Sequence, residues 1–265
     1  MVESDVANYR NNHWWRKEIG MDLKLTGKIA LVTGAGSQIG YGKSIALILA
    51  REGCDVIASD IDIEGAQKTA SEVRDLGRRS MAFKVDVADR DDVDKMVESI
   101  LEQWERIDIL INNAGASSQL KPFAQMTKSD WELDIGVNLT GQMNMAQAVL
   151  PAMISRKYGR IINLSGGQGI PNISVYGAAK AGVEAFTLAL AREVGRMGII
   201  VNGIAPGLGE TGLVANAPRE FLDANARSSI LGRLCTPEDV APVAAFLASD
   251  VCSYMAGQFI RIHAT

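Results

Sequence analysis

Between Lys28 and Glu52 the chain places a short apolar run, a glycine-rich turn and a helical segment in immediate succession. Lys28-Ile-Ala-Leu-Val-Thr33 is apolar residue after residue. That is the pattern of a strand covered on both faces, as in parallel sheets flanked by helices. Gly34-Ala-Gly-Ser-Gln-Ile-Gly-Tyr-Gly-Lys-Ser44 follows without a break, and Ile45 to Glu52 has helical spacing. A strand running through glycines into a helix aims backbone N–H groups out of the helix N-terminus. The glycines let the turn be tight and let a diphosphate approach the backbone. This stretch commits the chain to an α/β architecture and marks its first turn as a dinucleotide site.

The same alternation continues. Asp55–Ser59, Met81–Val85, Ile107–Ile111, Arg160–Leu164, Gly198–Ile204 and Gln258–Ile262 read as further strands. Between them lie helical patterns at Glu64–Leu76, stopped by Gly77, and at Asp91–Trp104, with an acidic first turn. Ser129–Ile154, capped by Ser129, and Ala178–Arg196 are also helical, with a short helix near Pro218–Arg227. Thr236–Ala248 has Pro237 at the first helical position. Strands alternating with helices imply a parallel sheet with right-handed crossovers. One domain is expected over residues 23–265, after an extension at 1–22. The adjacent Trp14 and Trp15 of that extension are expected to pack on the body or on a neighbouring subunit.

Composition removes several functions. Cys54, Cys235 and Cys252 are far apart, and His13 and His263 sit at opposite ends. No metal site or disulfide framework is expected, and a reducing cytoplasm is the default compartment. A net charge of −4 with no long basic run argues against nucleic acid or an anionic membrane surface as partner. No apolar stretch is long enough to span a membrane.

Candidate chemistry lies at Tyr176 and Lys180. Four residues apart on a helix, they share a face. A free phenol titrates near pH 10, and an adjacent ammonium would favour its ionised form. Asp60 ends the second strand about twenty residues after the glycine turn, where a carboxylate accepts hydrogen bonds from adenosine ribose hydroxyls and repels a 2′-phosphate. That favours NAD over NADP.

Thr33-Gly34-xxx-x-Ile39-Gly40, Asp60, Asp86, Asn112-Asn113-Ala114-Gly115, Asn138, Tyr176-xxx-Lys180 and Pro206-Gly207 with Thr211 occur in this order over about residues 24–262. The set resembles the short-chain dehydrogenase/reductase family in its NAD(P)-dependent branch, with a flavour of its 3-hydroxyacyl-CoA dehydrogenases. The resemblance implies an α/β fold: a single Rossmann-type, doubly wound parallel sheet of about seven strands in the order 3-2-1-4-5-6-7. It implies Tyr176 as acid–base and Lys180 as the residue that binds the nicotinamide ribose and lowers the tyrosine pKa. Ser165 would hydrogen-bond the substrate oxygen, and Asn138 would hold a water in the proton relay. Gly34, Gly36, Ile39 and Gly40 would form the cofactor turn, and Gly115 belongs to the same cleft. Asp86 would meet the adenine amino group, and Asn112 would line the adenosine side. Pro206, Gly207 and Thr211 would meet the nicotinamide end.

Three departures from the family pattern stand out. Gln38 occupies the place of the middle glycine in TGxxxGxG. Asn163 lies thirteen residues before Tyr176, where the family has its serine, and Ser165 lies eleven before. With a shorter loop, Ser165 matches the first and Gly166 the second residue of the usual Ser–Ser pair. The last strand ends Arg261-Ile-His-Ala-Thr265 instead of in a V-D-G-G turn.

The leading expectation is an NAD-dependent oxidoreductase acting on a secondary alcohol or ketone, with a β-hydroxyacyl-CoA or hydroxy acid as substrate class. Leu208, Leu213, Val214, Phe221, Leu222 and Ile230 would line the pocket, with Arg219, Arg227 and Arg233 as cations. The alternative is a non-catalytic subunit supporting an active homologue. A homodimer or homotetramer, or a heteromer with a homologous subunit, is expected to form through the helices at Ser129–Ile154 and Ala178–Arg196.

Overall fold

The structure is a computed structural model that describes residues 22–118, 120–209, 211–212 and 217–264. Trp14, Trp15, Leu213 and Val214 lie outside the described residues.

Seven parallel strands pair in the order β3-β2-β1-β4-β5-β6-β7, which agrees with the order expected from the sequence. They are β1 (Ile29–Thr33), β2 (Asp55–Asp60), β3 (Ser80–Lys84), β4 (Ile109–Asn112), β5 (Gly159–Leu164), β6 (Ile199–Pro206) and β7 (Phe259–Ile262). The intervening helices are α1 (Tyr41–Arg51), α2 (Ile63–Asp75), α3 (Arg90–Trp104), α4 (Lys128–Ile135), α5 (Gly141–Arg156), α6 (Ser174–Val194), α7 (Arg219–Ser228) and α8 (Pro237–Ala248).

Side chains alternate across a strand, so β1 feeds two cores. Ala30 and Val32 pack with Ile45 and Leu49 of α1, Val73 of α2 and Val240 and Ala244 of α8. Ile29 and Leu31 face the other way, toward Val97 and Ile100 of α3, Met145 and Val149 of α5 and Leu190 of α6. Every β1 and β5 residue is buried, which is why β1 reads as an apolar run, while β5 also buries Arg160 and Asn163.

Two local readings are corrected. Thr127, not Ser129, caps the helix after β4. Its hydroxyl accepts from the Asp130 N–H, and Asp130 accepts in return from the Thr127 N–H. The second concerns the stretch expected to be largely helical over Ser129–Ile154: a π-helical turn at Gly136–Thr140 divides it. The cause is Asn138. Its Nδ2 donates to the Asp134 carbonyl at 2.9 Å, the acceptor that the residue's own N–H would use in a regular helix. Among the described residues no helix is long and apolar enough to cross a membrane.

Candidate active site

The C-terminal ends of β1, β2, β4, β5 and β6 bring the motif residues to one edge of the sheet, around the point where β1 lies between β2 and β4. Open α/β sheets bind ligands at such a point. The glycine turn is closely built. Gly34 has φ +66, and a Cβ there would lie 2.7 Å from Ala114 Cα. A Cβ on Gly42 would lie 2.2 Å from the Gly34 carbonyl. Asn113 Nδ2 donates to the carbonyls of Thr33 and Gly34 at 2.9 and 3.0 Å. Thr33 Oγ1 accepts from the N–H groups of Asn113 and Ala114, both at 3.0 Å. The turn and the Asn-Asn-Ala-Gly segment are therefore one unit.

Asp60, at the end of β2, accepts from the Gly36 N–H at 2.7 Å and leaves no space for a Cβ at Gly36. Gln38 does not close the turn. Its Nε2 donates to the Gly36 and Gly65 carbonyls at 2.8 and 3.1 Å, and its Oε1 accepts from Lys43. The side chain is thereby held toward α2. Gly40 stands at the N-cap of α1, and Ile39 is 58% exposed at the mouth of the turn.

Tyr176 and Lys180 lie in the first two turns of α6, with Lys180 Nζ 5.7 Å from the Tyr176 ring centroid. Lys180 is buried and donates to the Leu164 carbonyl at 2.9 Å. Burial lowers its pKa to about 8. Burial pushes the Tyr176 phenol up to about 12, and the charge of Asp134 adds to the effect. Desolvation sets the direction of the Tyr176 shift here, with the Lys180 ammonium turned toward the Leu164 carbonyl of β5. Asn138 is buried. Its Nδ2 donates to the Ala116 and Asp134 carbonyls, while its Oδ1 has no protein partner among the described residues. Gly115 joins these groups: a Cβ there would be 3.0 Å from Asn138 Oδ1 and 3.8 Å from Lys180 Nζ.

Two further expectations are corrected. The Ser165 hydroxyl faces into the protein. It donates to the Lys180 carbonyl at 2.9 Å and lies 3.3 Å from Glu184 Oε1. Gln168 Nε2 donates to both Ser165 Oγ and Glu184 at 2.8 Å, and Arg261 of β7 pairs with Glu184 at 2.7 Å. That network leaves Ser165 as a support for the loop, and Gly166, at φ +114, carries no hydroxyl. Asn112 is also buried under the sheet edge. It donates to Asn163 and to the Gln142 carbonyl instead of lining the cleft.

Asp86 accepts from the Ala88 N–H in the turn after β3. Pro206 ends β6, and the Gly207 N–H bonds the Ile262 carbonyl of β7. The Thr211 N–H bonds the Gly209 carbonyl, and a Cβ on neighbouring Gly212 would lie 2.9 Å from Ser37 Oγ. The segment after β6 therefore folds over the glycine turn. Tyr41 reaches the Gly207 carbonyl at 3.4 Å, and burial raises its phenol. Arg219 and Arg233 pair with Asp223 and Asp239, so neither is an uncommitted cation for a substrate. Ile230 is 78% exposed and does not line a closed pocket, whereas Leu222 is buried.

The sequence reading gave no role to Gln168, Glu184 or Asp134. Asn113 was detectable, because a strand's alternation turns successive residues to opposite faces and separates it from Asn112.

A family model described as enoyl-(acyl carrier protein) reductase matches residues 34–264. The chain belongs to the short-chain dehydrogenase/reductase family. It is 39% identical over 243 residues to a 3-oxoacyl-(acyl-carrier-protein) reductase of Thermotoga maritima, covering 91% of this chain and 98% of that protein. It is 36% identical over 245 residues to a hydroxy(phenyl)methylsuccinyl-CoA dehydrogenase subunit of Thauera aromatica, covering 91% and 96%. A cyclohexanol dehydrogenase of Acinetobacter is 38% identical over 241 residues, covering 89% and 94%. Among solved structures, a candidate short-chain alcohol dehydrogenase of Sinorhizobium meliloti superposes with a TM-score of 0.86 at 33% identity, covering 91% and 97%. This short-chain dehydrogenase/reductase is accordingly an oxidoreductase of the kind that uses a nicotinamide cofactor.

Proposed function

We propose that the chain is an NAD-dependent oxidoreductase that interconverts a secondary alcohol and a ketone, with a β-hydroxyacyl-CoA or hydroxy acid as substrate class. The observation that carries this reading is the convergence of Lys180 and Asn138 at Gly115, beside Tyr176 and next to a glycine turn with no room for side chains at Gly34, Gly36 and Gly42. The turn fits a dinucleotide: Gln38 is held aside, and Ile39 and Gly40 stand at the N-terminus of α1. Asp60 takes the adenosine ribose hydroxyls in this reading, and its charge disfavours a 2′-phosphate. Asp86 is assigned to the adenine side, and Pro206, Gly207 and Thr211 to the nicotinamide side. When bound, a nicotinamide would supply the hydride chemistry, as acceptor from the alcohol or donor to the ketone.

Tyr176 exchanges a proton with the substrate oxygen. Lys180 holds the ribose and offers a cation to the phenol as that charge develops. Asn138, with a buried acceptor unpaired among the described residues, holds the far end of the proton relay. The activities named for the Thermotoga, Thauera and Acinetobacter relatives, a ketoacyl reductase, a hydroxy(phenyl)methylsuccinyl-CoA dehydrogenase subunit and an alcohol dehydrogenase, support the alcohol–ketone couple. Trp131, Leu133, Ile135, Met143 and Leu188, exposed on and beside α4 to α6, support assembly with identical or homologous subunits through those helices.

The second reading, a non-catalytic subunit beside an active homologue, is favoured by one observation: Gly166 replaces the hydroxyl and Ser165 is turned inward. Fluorescence titration of the purified chain with NADH, followed by NAD reduction with a panel of β-hydroxyacyl-CoA esters, separates the two. Binding with turnover supports the enzyme. Binding without turnover on the panel supports the partner subunit, and absence of binding overturns the proposal.

A further inference from the structure

Asp134 is a carboxylate with no task in the chemistry above. It lies near the end of α4 at 1% exposure, and among the described residues no lysine or arginine pairs with it. An ionised group there persists only where hydrogen bonds satisfy it. One residue satisfies both oxygens: the Ser118 N–H donates to Oδ1 at 2.8 Å and the Ser118 hydroxyl to Oδ2 at 2.9 Å. Ser118 belongs to the segment that leaves β4 through Gly115. The same segment offers the Ala116 carbonyl to Asn138, and its Lys121 N–H bonds the Asn172 carbonyl in the loop before α6. The Asp134 carbonyl accepts the other Asn138 hydrogen bond. Asp134 thus ties together the post-β4 segment and the π turn, at the end of a helix packed against α6.

We propose that Asp134 is a positioning residue for the acid–base centre: it clamps the post-β4 segment through Ser118 and holds a carboxylate where α4 packs on α6, the helix of Tyr176. The inference rests on the reading of Tyr176 as the acid–base group. The groups bearing on Tyr176 are Asp134 from α4, Lys180 from its own helix and Tyr41 from α1. Tyr41 is neutral, and Lys180 is turned to the Leu164 carbonyl. A negative neighbour disfavours the phenolate, and Asp134 has that sign. The consequence is directional. Carbonyl reduction needs a protonated phenol as donor, whereas alcohol oxidation needs the phenolate. Removing the Asp134 charge should therefore ease phenolate formation and favour alcohol oxidation over ketone reduction.

Asp134→Asn tests this, because it keeps the shape and the acceptor for the Ser118 N–H but removes the charge. Tyrosinate absorbance, taken as the difference between each protein and its Tyr176→Phe counterpart, isolates the one phenol. The midpoint should fall by about one pH unit in Asp134→Asn, and the alkaline limb of alcohol oxidation should move down with it. Ser118→Ala loosens the clamp and retains the charge, so its midpoint should hold or rise. An unmoved midpoint in Asp134→Asn overturns the proposal even if activity is lost, as does an equal fall in Ser118→Ala. A lowered midpoint without turnover on any substrate supports it and counts against the dehydrogenase reading instead.

Discussion

Replacing Gly166 with serine would restore the hydroxyl of the family pattern, and the structure says that the chain will not accept it. Gly166 has φ +114, and a Cβ there would lie 3.0 Å from the Pro206 carbonyl oxygen. A side chain in so sparsely populated a backbone region costs about 1–3 kcal/mol. The close contact with rigid backbone adds about 1 kcal/mol. At about 3 °C per kcal/mol for a chain of this size, Gly166→Ser should lower the thermal midpoint by about 6–12 °C. Gly195→Ser is the control, since nothing lies within 4 Å of a Cβ there and its φ is negative. Differential scanning calorimetry reads both variants. The hydroxyl should bring no gain in turnover, because accommodating it displaces Pro206 at the nicotinamide side. A Gly166→Ser protein as stable as the parent and faster in turnover would refute the reasoning.

Ser165→Ala removes a hydrogen bond to the Lys180 carbonyl, so it should cost about 1–2 kcal/mol in denaturant melts while most of the turnover survives. Asp60→Asn keeps an acceptor for Gly36 but loses the charge, and NADPH affinity measured by fluorescence should rise about tenfold relative to NADH. Lys180 holds fewer protons folded than unfolded between its lowered pKa of about 8 and the ordinary 10.5. Its contribution to stability therefore grows with rising pH across that window, by at most about 1.4 kcal/mol per unit. In urea titrations at pH 8 and 10, the stability of the parent relative to Lys180→Met should rise with pH, which cancels the cysteines and tyrosines that titrate alike in both proteins.

The sheet was legible because its central strands β1, β2 and β4 are buried and leave short apolar runs that end at Gly34, Asp60 and Asn112. The glycine turn, Asp60 and the Tyr176–Lys180 spacing were legible for the same local reason. What escaped notice depends on contacts distant in sequence. Ser165 was assigned to substrate, because no linear pattern shows that Glu184, Gln168 and the Lys180 carbonyl capture its hydroxyl. Asp134 drew no role, because its burial and its pairing with Ser118, sixteen residues upstream, leave no mark in the linear pattern. Thr127 was passed over for Ser129, although Thr-x-x-Asp at Thr127–Asp130 resembles a capping box. The sign of the Tyr176 shift also followed from burial, which spacing alone does not report.

The central claim is that Tyr176 moves the proton while the rest of the cleft holds the cofactor. Tyr176→Phe tests it most directly, with NADH affinity and alcohol oxidation measured on the same preparation. The account predicts little change in NADH affinity and a loss of turnover of about a hundredfold or more. Turnover preserved in Tyr176→Phe would contradict it.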